Sequence, residues 1–347
     1  MALTPAASVP AGRSSRLAWL YPGWFASVMG LSGLSLAWNA ATPLMGPSAQ
    51  AAAVAIGALA ALALAVLTAA SLWRLRQVPQ AWSADLQHPV RHTFVATLPV
   101  GALLVATAGV ALLGPVAPLE ALWWLGSVGQ LVVALWMVSR WWRGRDAGGL
   151  QWASMTPALF IPFVGNALSP IAGVPLGHDL WSAAQFGVGL LFWPLSLALV
   201  FSRVALQGLW PERLRPTVFI FIAPPAAVAL GGLSLGLPVT VAWMLWGMAA
   251  FSLLWAASQA RLIAALPFGL PHWGMSFPLT ALATLTLRLA PGVPALQVLG
   301  PALLALASLV IAALTLATWR GLRDGSLLQP EPVAALQPAA PAGPAQA

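Results

Sequence analysis

The chain contains no cysteine and no lysine. Without thiols there are no disulfides, no thiolate metal sites and no Cys nucleophile. Charge of either sign is scarce: 6% of residues are Asp, Glu, Lys or Arg, against about 25% in an ordinary soluble domain. A soluble α/β fold needs polar outer faces, and this composition cannot supply them. Titratable groups inside apolar stretches are almost missing, whereas a membrane-embedded enzyme needs them, or metal ligands, at depth. His88 and His92 stand four apart, but Pro89 between them marks a helix start and not a ligand pair. His178 and His272 fall at the edges of apolar runs, where hydrogen bonding at the interface accounts for them. No enzymatic activity and no cofactor is expected. A proton-driven carrier is also disfavoured, because such carriers hold Asp, Glu or His in mid-membrane.

What the chain has is length and apolar runs: 347 residues, 60% of them hydrophobic. A membrane span needs about 20 apolar residues. Ten segments qualify: Leu20–Ala40, Ala49–Leu72, Thr93–Leu113, Leu119–Ser139, Thr156–Val174, Leu180–Ser202, Thr217–Gly236, Val239–Ser258, Trp273–Ala290 and Val293–Ala317. The expected class is an all-α polytopic membrane protein. Met1 to Arg16 is rich in Pro, Ala and Ser and lacks the apolar core of a cleavable signal. The expected division is a short N-terminal segment over 1–18, a transmembrane domain over 19–320, and a disordered Pro/Ala-rich tail over 321–347.

All fifteen cations are Arg, and the net charge is +8. In a soluble chain that excess would suggest nucleic acid; here it marks the ends of spans, and no nucleic-acid partner is expected. Fourteen of the Arg residues, including Arg13, Arg74, Arg91, Arg145, Arg213, Arg261 and Arg320, fall on one side of the ten segments, and Arg288 alone on the other. The positive-inside rule places that side, with both termini, in the cytoplasm. Arg288 then either snorkels at a span end or contacts an anion at the outer mouth.

Short loops on the outer side make hairpins of spans one and two, three and four, and so on. Interior prolines gather in the first members: Pro99, Pro162, Pro170, Pro224, Pro225 and Pro278. Proline bends a membrane helix only where protein or a water-filled cavity satisfies the freed backbone groups. The first span has instead a stripe of small residues, Gly23, Ala26, Gly30, Gly33 and Ala37, on one helix face. Such a face permits close backbone approach or leaves room for a bulky neighbour. The odd-numbered spans therefore suit an inner ring around an axis, and the straighter even-numbered ones an outer ring against lipid. Polar side chains at depth are neutral, among them Asn166 and Thr280. Cytoplasmic Arg residues and helix N-termini give a positive inner vestibule, which favours anions over cations. Phe277, set directly before Pro278, either packs between helices or stands in a path through the membrane.

Several stretches resemble the tellurite-resistance/dicarboxylate transporter family, which includes the slow-type anion channels of plant guard cells. Asp85-Leu86-Gln87-His88-Pro89-Val90-Arg91 with Phe94 is similar to the approach to the family's third span. Tyr21-Pro22-Gly23-Trp24-Phe25, Met29-Gly30 and Ala37-Trp38 resemble the first. Pro162-Phe163-Val164-Gly165-Asn166, followed by Ala172 to Gly177, resembles the fifth. Pro211 to Thr217 with Ala223-Pro224-Pro225 resembles the seventh, and Ser276-Phe277-Pro278-Leu279-Thr280 the ninth. The motifs run in family order from Leu20 to about Arg320. The sequence departs at Ala26, where some members carry Gly.

The resemblance implies ten transmembrane helices as five helical hairpins around a central pore, in a homotrimer with one pore per subunit. It implies a pore lined by the odd spans and occluded by Phe277, with Ala26, Gly30, Gly33, Pro99, Pro162, Asn166, Pro224 and Pro278 as its bends and lining. The expected function is an anion channel or channel-like exporter of the cytoplasmic membrane, passing small inorganic or organic anions. The alternative is a coupled carrier for C4-dicarboxylates such as malate, or for sulfite.

Overall fold

The computed structural model describes residues 13–144 and 149–329. Arg145, the first twelve residues and the expected tail beyond Gln329 lie outside the described residues. Those described are helical, with no strand among them. The principal elements are α1 (Ala26–Met45), α2 (Pro47–Gln77), α3 (Arg91–Leu113), α4 (Ala117–Trp141), α5 (Pro157–Gly173), α6 (Asp179–Gln207), α7 (Glu212–Ser234), α8 (Val239–Ala257), α9 (Ser276–Leu289) and α10 (Pro294–Arg323).

Seven of these, α2, α3, α4, α6, α7, α8 and α10, are long and apolar enough to cross a membrane. The other three differ from continuous apolar spans for identifiable reasons. In α1, 20 residues long, Ser27, Ser32, Ser35 and Asn39 dilute the apolar run. In α5, Pro162 and Pro170 leave two five-residue helices, Phe160–Val164 and Ser169–Gly173, joined by a 3-10 turn. α9 keeps 14 α-helical residues, because the chain before Ser276 winds as a 3-10 turn over Leu270–Met275.

One punctuation recurs at the α1–α2, α3–α4, α5–α6, α7–α8 and α9–α10 connections. Each contains a glycine with positive φ: Gly46, Gly114, Gly177, Gly236 and Gly292. Glycine tolerates that conformation at a helix end, and proline suits the first turn of the next helix. Pro47 and Pro294 serve α2 and α10 in this way. Consecutive elements thus pack against one another in pairs.

The pairs are arranged in two layers. In the most apolar windows of α2, α4, α6, α8 and α10, at most 33% of residues are buried, whereas 72% are buried in α3 and 89% in α7. The outer helices display Leu62, Leu125, Leu191, Phe251 and Leu309 outward, which suits contact with hydrocarbon. The inner elements share a second feature. Each opens with a 3-10 segment: Pro22–Phe25, Arg91–Ala96, Pro157–Leu159, Glu212–Ile222 and Leu270–Met275. At three of the junctions a hydroxyl takes up a carbonyl three residues back. Ser27 donates to Trp24, Thr97 to Phe94 and Ser276 to Trp273, each at 2.7 Å. Irregular backbone at this depth persists only where such partners exist.

Candidate functional site

Two cavities lie end to end between α1, α3, α5, α7 and α9. The inner one is about 50 Å³, and every side chain lining it is apolar, including Ala26, Met29, Phe94, Phe160, Pro224, Trp273 and Pro278. The outer one is about 270 Å³ and is lined by Gly33, Asn39, Leu104, Leu230, Thr284 and Arg288, among others. All five inner elements contribute to both cavities, and none of α2, α4, α6, α8 and α10 contributes to either. Two side chains border both: Phe277 of α9 and Leu168 of α5.

The close contact of α1 with α9 sets the position of Phe277. A Cβ at Gly30 would overlap the Ser276 hydroxyl, and one at Gly33 would overlap the Thr280 hydroxyl and stand 3.2 Å from Phe277 Cδ2. Small residues on α1 therefore let α9 approach until the Phe277 ring lies against the α1 backbone. Pro278 removes the amide that would tie this turn of α9 to Gly274, and Thr280 donates its hydroxyl to the Phe277 carbonyl at 2.9 Å.

Among the residues singled out from sequence, Ala26, Pro224 and Pro278 border the inner cavity, Gly33 and Arg288 the outer, and Phe277 both. Gly30, Pro99, Pro162 and Asn166 border neither. Gly30 is occupied by the α1–α9 contact. Pro99 faces α4, where a Cβ at Gly129 would stand 3.1 Å from it. Asn166 is fully buried in a polar network that repairs the broken α5. Its amide donates to the carbonyls of Pro162 and Phe163, and its oxygen accepts from Gln185 at 3.0 Å. From α4, Gln130 donates to the carbonyls of Ile161 and Pro162 at 2.8 and 2.9 Å. Trp123 donates to that of Ser169 at 3.1 Å. Ser127 and Trp181 complete the set through Gln185.

This bracing fixes the backbone on either side of Leu168. Replacing Gln130 with Leu leaves two α5 carbonyls without its amide and is expected to cost about 1–3 kcal/mol. A fall in the thermal unfolding midpoint in detergent checks this; an unchanged midpoint would show that the bend holds without α4.

At the opposite end of α2 and α3, Asp85 is buried between two cations, with Arg74 at 2.6 Å and Arg91 at 3.3 Å. Burial pushes the Asp85 carboxyl up from its ordinary value, and Arg74 and then Arg91 pull against it. Arg74 also donates to the carbonyl of Ala18, so the cluster ties the start of the chain to the α2–α3 connection. The histidines take local hydrogen-bonding roles. His88 accepts from the amides of Val90 and Arg91, which caps the first turn of α3. His178 pairs with Glu120 at 2.7 Å and stacks on Trp123. Among the described residues no group of three or more His, Cys, Asp or Glu side chains could hold a metal.

Leu168 had no signal in the sequence. It is one Leu in an apolar run, and the 3-10 turn that aims it follows from two prolines whose combined effect on direction is not periodic.

The family model for voltage-dependent anion channels (SLAC1) matches residues 20–319. The chain is 28% identical over 266 residues to a tellurite resistance protein TehA homolog of Haemophilus influenzae, covering 75% of this chain and 78% of the relative. It is 26% identical over 292 residues to an uncharacterized transporter of Methanocaldococcus jannaschii, covering 75% and 80%. It is 24% identical over 208 residues to the S-type anion channel SLAH2 of Arabidopsis thaliana, covering 59% of this chain and 39% of that longer protein. The motifs quoted above from α1, α3, α5, α7 and α9 all fall within the matched residues, and the chain belongs to the SLAC1 family of voltage-dependent anion channels.

Proposed function

We propose that this protein is a membrane anion channel, conducting small anions passively along the axis of α1, α3, α5, α7 and α9. One observation carries the reading. The two axial cavities are lined only by the inner elements, hold Arg288 as the sole charged side chain in their walls, and share Phe277 and Leu168. In this reading Phe277 and Leu168, which border both cavities, close the path, and hydrophobic constrictions of this kind gate by dewetting. Arg288 contacts anions at the outer mouth, and its position at the end of the ninth segment supports that role. No cofactor takes part.

The full arrangement in this proposal is ten spans as five hairpins in the cytoplasmic membrane. The Arg asymmetry supports cytoplasmic termini. The family resemblance supports a homotrimer with one path per subunit, its outer helices meeting lipid or neighbouring subunits.

Neither cavity wall contains an Asp, Glu or His, so no proton-coupling group stands on the path. Proteoliposome flux of chloride, nitrate, sulfite and malate at matched membrane potentials tests this. Flux is expected to follow the potential and to be unchanged by a superimposed pH gradient. Flux of malate or sulfite that requires the pH gradient would replace the channel with a coupled carrier.

A further inference from the structure

Resting on the anion-conduction reading, we propose that the outer axial cavity is a coordination site for a small polyatomic oxyanion, held between the Arg288 guanidinium and the Asn39 carboxamide. Both side chains line this cavity, and no carboxylate does. Arg288 is the one exposed residue between Ser276 and Ala290 on an otherwise buried stretch. Among the described residues it forms no ion pair. The chain has two asparagines, Asn39 and Asn166, and they are used differently. The amide of Asn166 is consumed by the carbonyls of the broken α5. Asn39 stands in α1, which is one α-helix from Ala26 to Met45, and its carboxamide borders open space.

The register of α1 against α9 brings the two groups to one depth. Gly30 lies against Ser276 and Gly33 against Thr280, so the helices run parallel and in step. Asn39 is six residues beyond Gly33, and Arg288 eight beyond Thr280. At 1.5 Å per residue these positions are about 9 and 12 Å past the shared contact. They differ in height by about 3 Å, less than one turn. Thr284, four residues before Arg288, lines the same cavity, but its hydroxyl donates to the Thr280 carbonyl at 2.8 Å. The donors left for an anion are therefore those of Arg288 and Asn39.

Their chemistry selects the occupant. A guanidinium presents parallel N–H groups that match two oxygens of one planar anion. A carboxamide adds N–H donors for a further oxygen. A planar oxyanion such as nitrate uses both groups at once, whereas chloride presents no separate oxygens for the fork to match. The cavity ends at Phe277 and Leu168, so an anion held here stands beside the constriction.

Reversal potentials with nitrate on one side and chloride on the other are measured in planar bilayers for wild type, Asn39→Leu, Asn39→Asp and Arg288→Lys. Asn39 is half-buried at the cavity edge, so its replacement strands no packed core. Loss of its hydrogen bond in Asn39→Leu is expected to lower the nitrate-to-chloride permeability ratio about three- to tenfold, with chloride conductance altered less. Arg288→Lys keeps the charge but loses the fork, and should lower the same ratio. Asn39→Asp sets a carboxylate at the depth of Arg288 and should cut the current of both anions about tenfold or more. A folded Asn39→Leu or Arg288→Lys protein with the wild-type ratio, or Asn39→Asp with wild-type current, would overturn the site and leave conduction standing. A folded wild-type protein that passes no anion would overturn the conduction reading itself.

Discussion

Phe277→Ala is expected to increase anion conductance by about tenfold or more while leaving folded yield close to wild type. Tenfold corresponds to about 1.4 kcal/mol off the barrier to permeation, a modest demand on one ring that stands between two cavities. Phe277 borders the inner and outer cavities at once, and removing its ring joins them on the α9 side. The void it leaves continues existing space, so few packing contacts are stranded. Were Phe277 ordinary core, the same change would cost about 3–5 kcal/mol by soluble-protein precedent and would mainly reduce folded yield. Single-channel current and the monodisperse fraction in detergent, measured on the same preparation, separate the two. A well-folded variant with unchanged current returns Phe277 to the packing role.

Gly231→Ala is expected to have the opposite profile, a large loss of folded protein with no gain of current. Gly231 lies in α7, where it meets α5 at the bend. A methyl group there would overlap the carbonyl oxygen of Ala167 and stand 3.2 and 3.3 Å from atoms of the Phe186 ring. The first obstacle is backbone, which cannot rotate aside, and it belongs to the residue before Leu168. Overpacking against yielding side chains costs about 1–3 kcal/mol; here about 3 kcal/mol or more is expected. Thermal unfolding in detergent checks it. A Gly231→Ala protein with wild-type yield and midpoint would show that α5 can shift at Ala167, and the rigid support assigned to Leu168 would fall.

The contrast between these two positions shows where sequence is informative. The outer helices were legible because long apolar runs have no other reading at this length. The division into layers was legible because Pro99, Pro162, Pro224 and Pro278 all fall in alternate segments. Phe277 stood out through its neighbour Pro278 and its family motif. Asn166 was harder. A neutral amide in an apolar run looks the same whether it faces a water path or a broken backbone, and here Pro162 and Phe163 leave carbonyls that its amide satisfies.

The same limit explains Leu168 and Gly231. A 3-10 segment repeats every 3.0 residues and an α-helix every 3.6, so one wheel cannot place residues across α5 or α7. From Ala26 onward the small-residue stripe could be read because α1 is a single α-helix to Met45, whereas Gly23 lies in the 3-10 turn before it. The two remaining short segments, α5 and α9, are where proline and 3-10 winding replace regular helix, and each supplies a side chain that borders both axial cavities.

The reversal potential of Phe277→Ala current in asymmetric chloride tests anion conduction along this axis most directly. With the constriction opened the current is large enough to read, and selectivity then depends on the Arg field and not on the ring. The expected reversal lies near the chloride equilibrium potential and does not move when a pH gradient is imposed at fixed chloride. A reversal near the cation equilibrium potential, or one that follows the pH gradient, would contradict passive anion permeation.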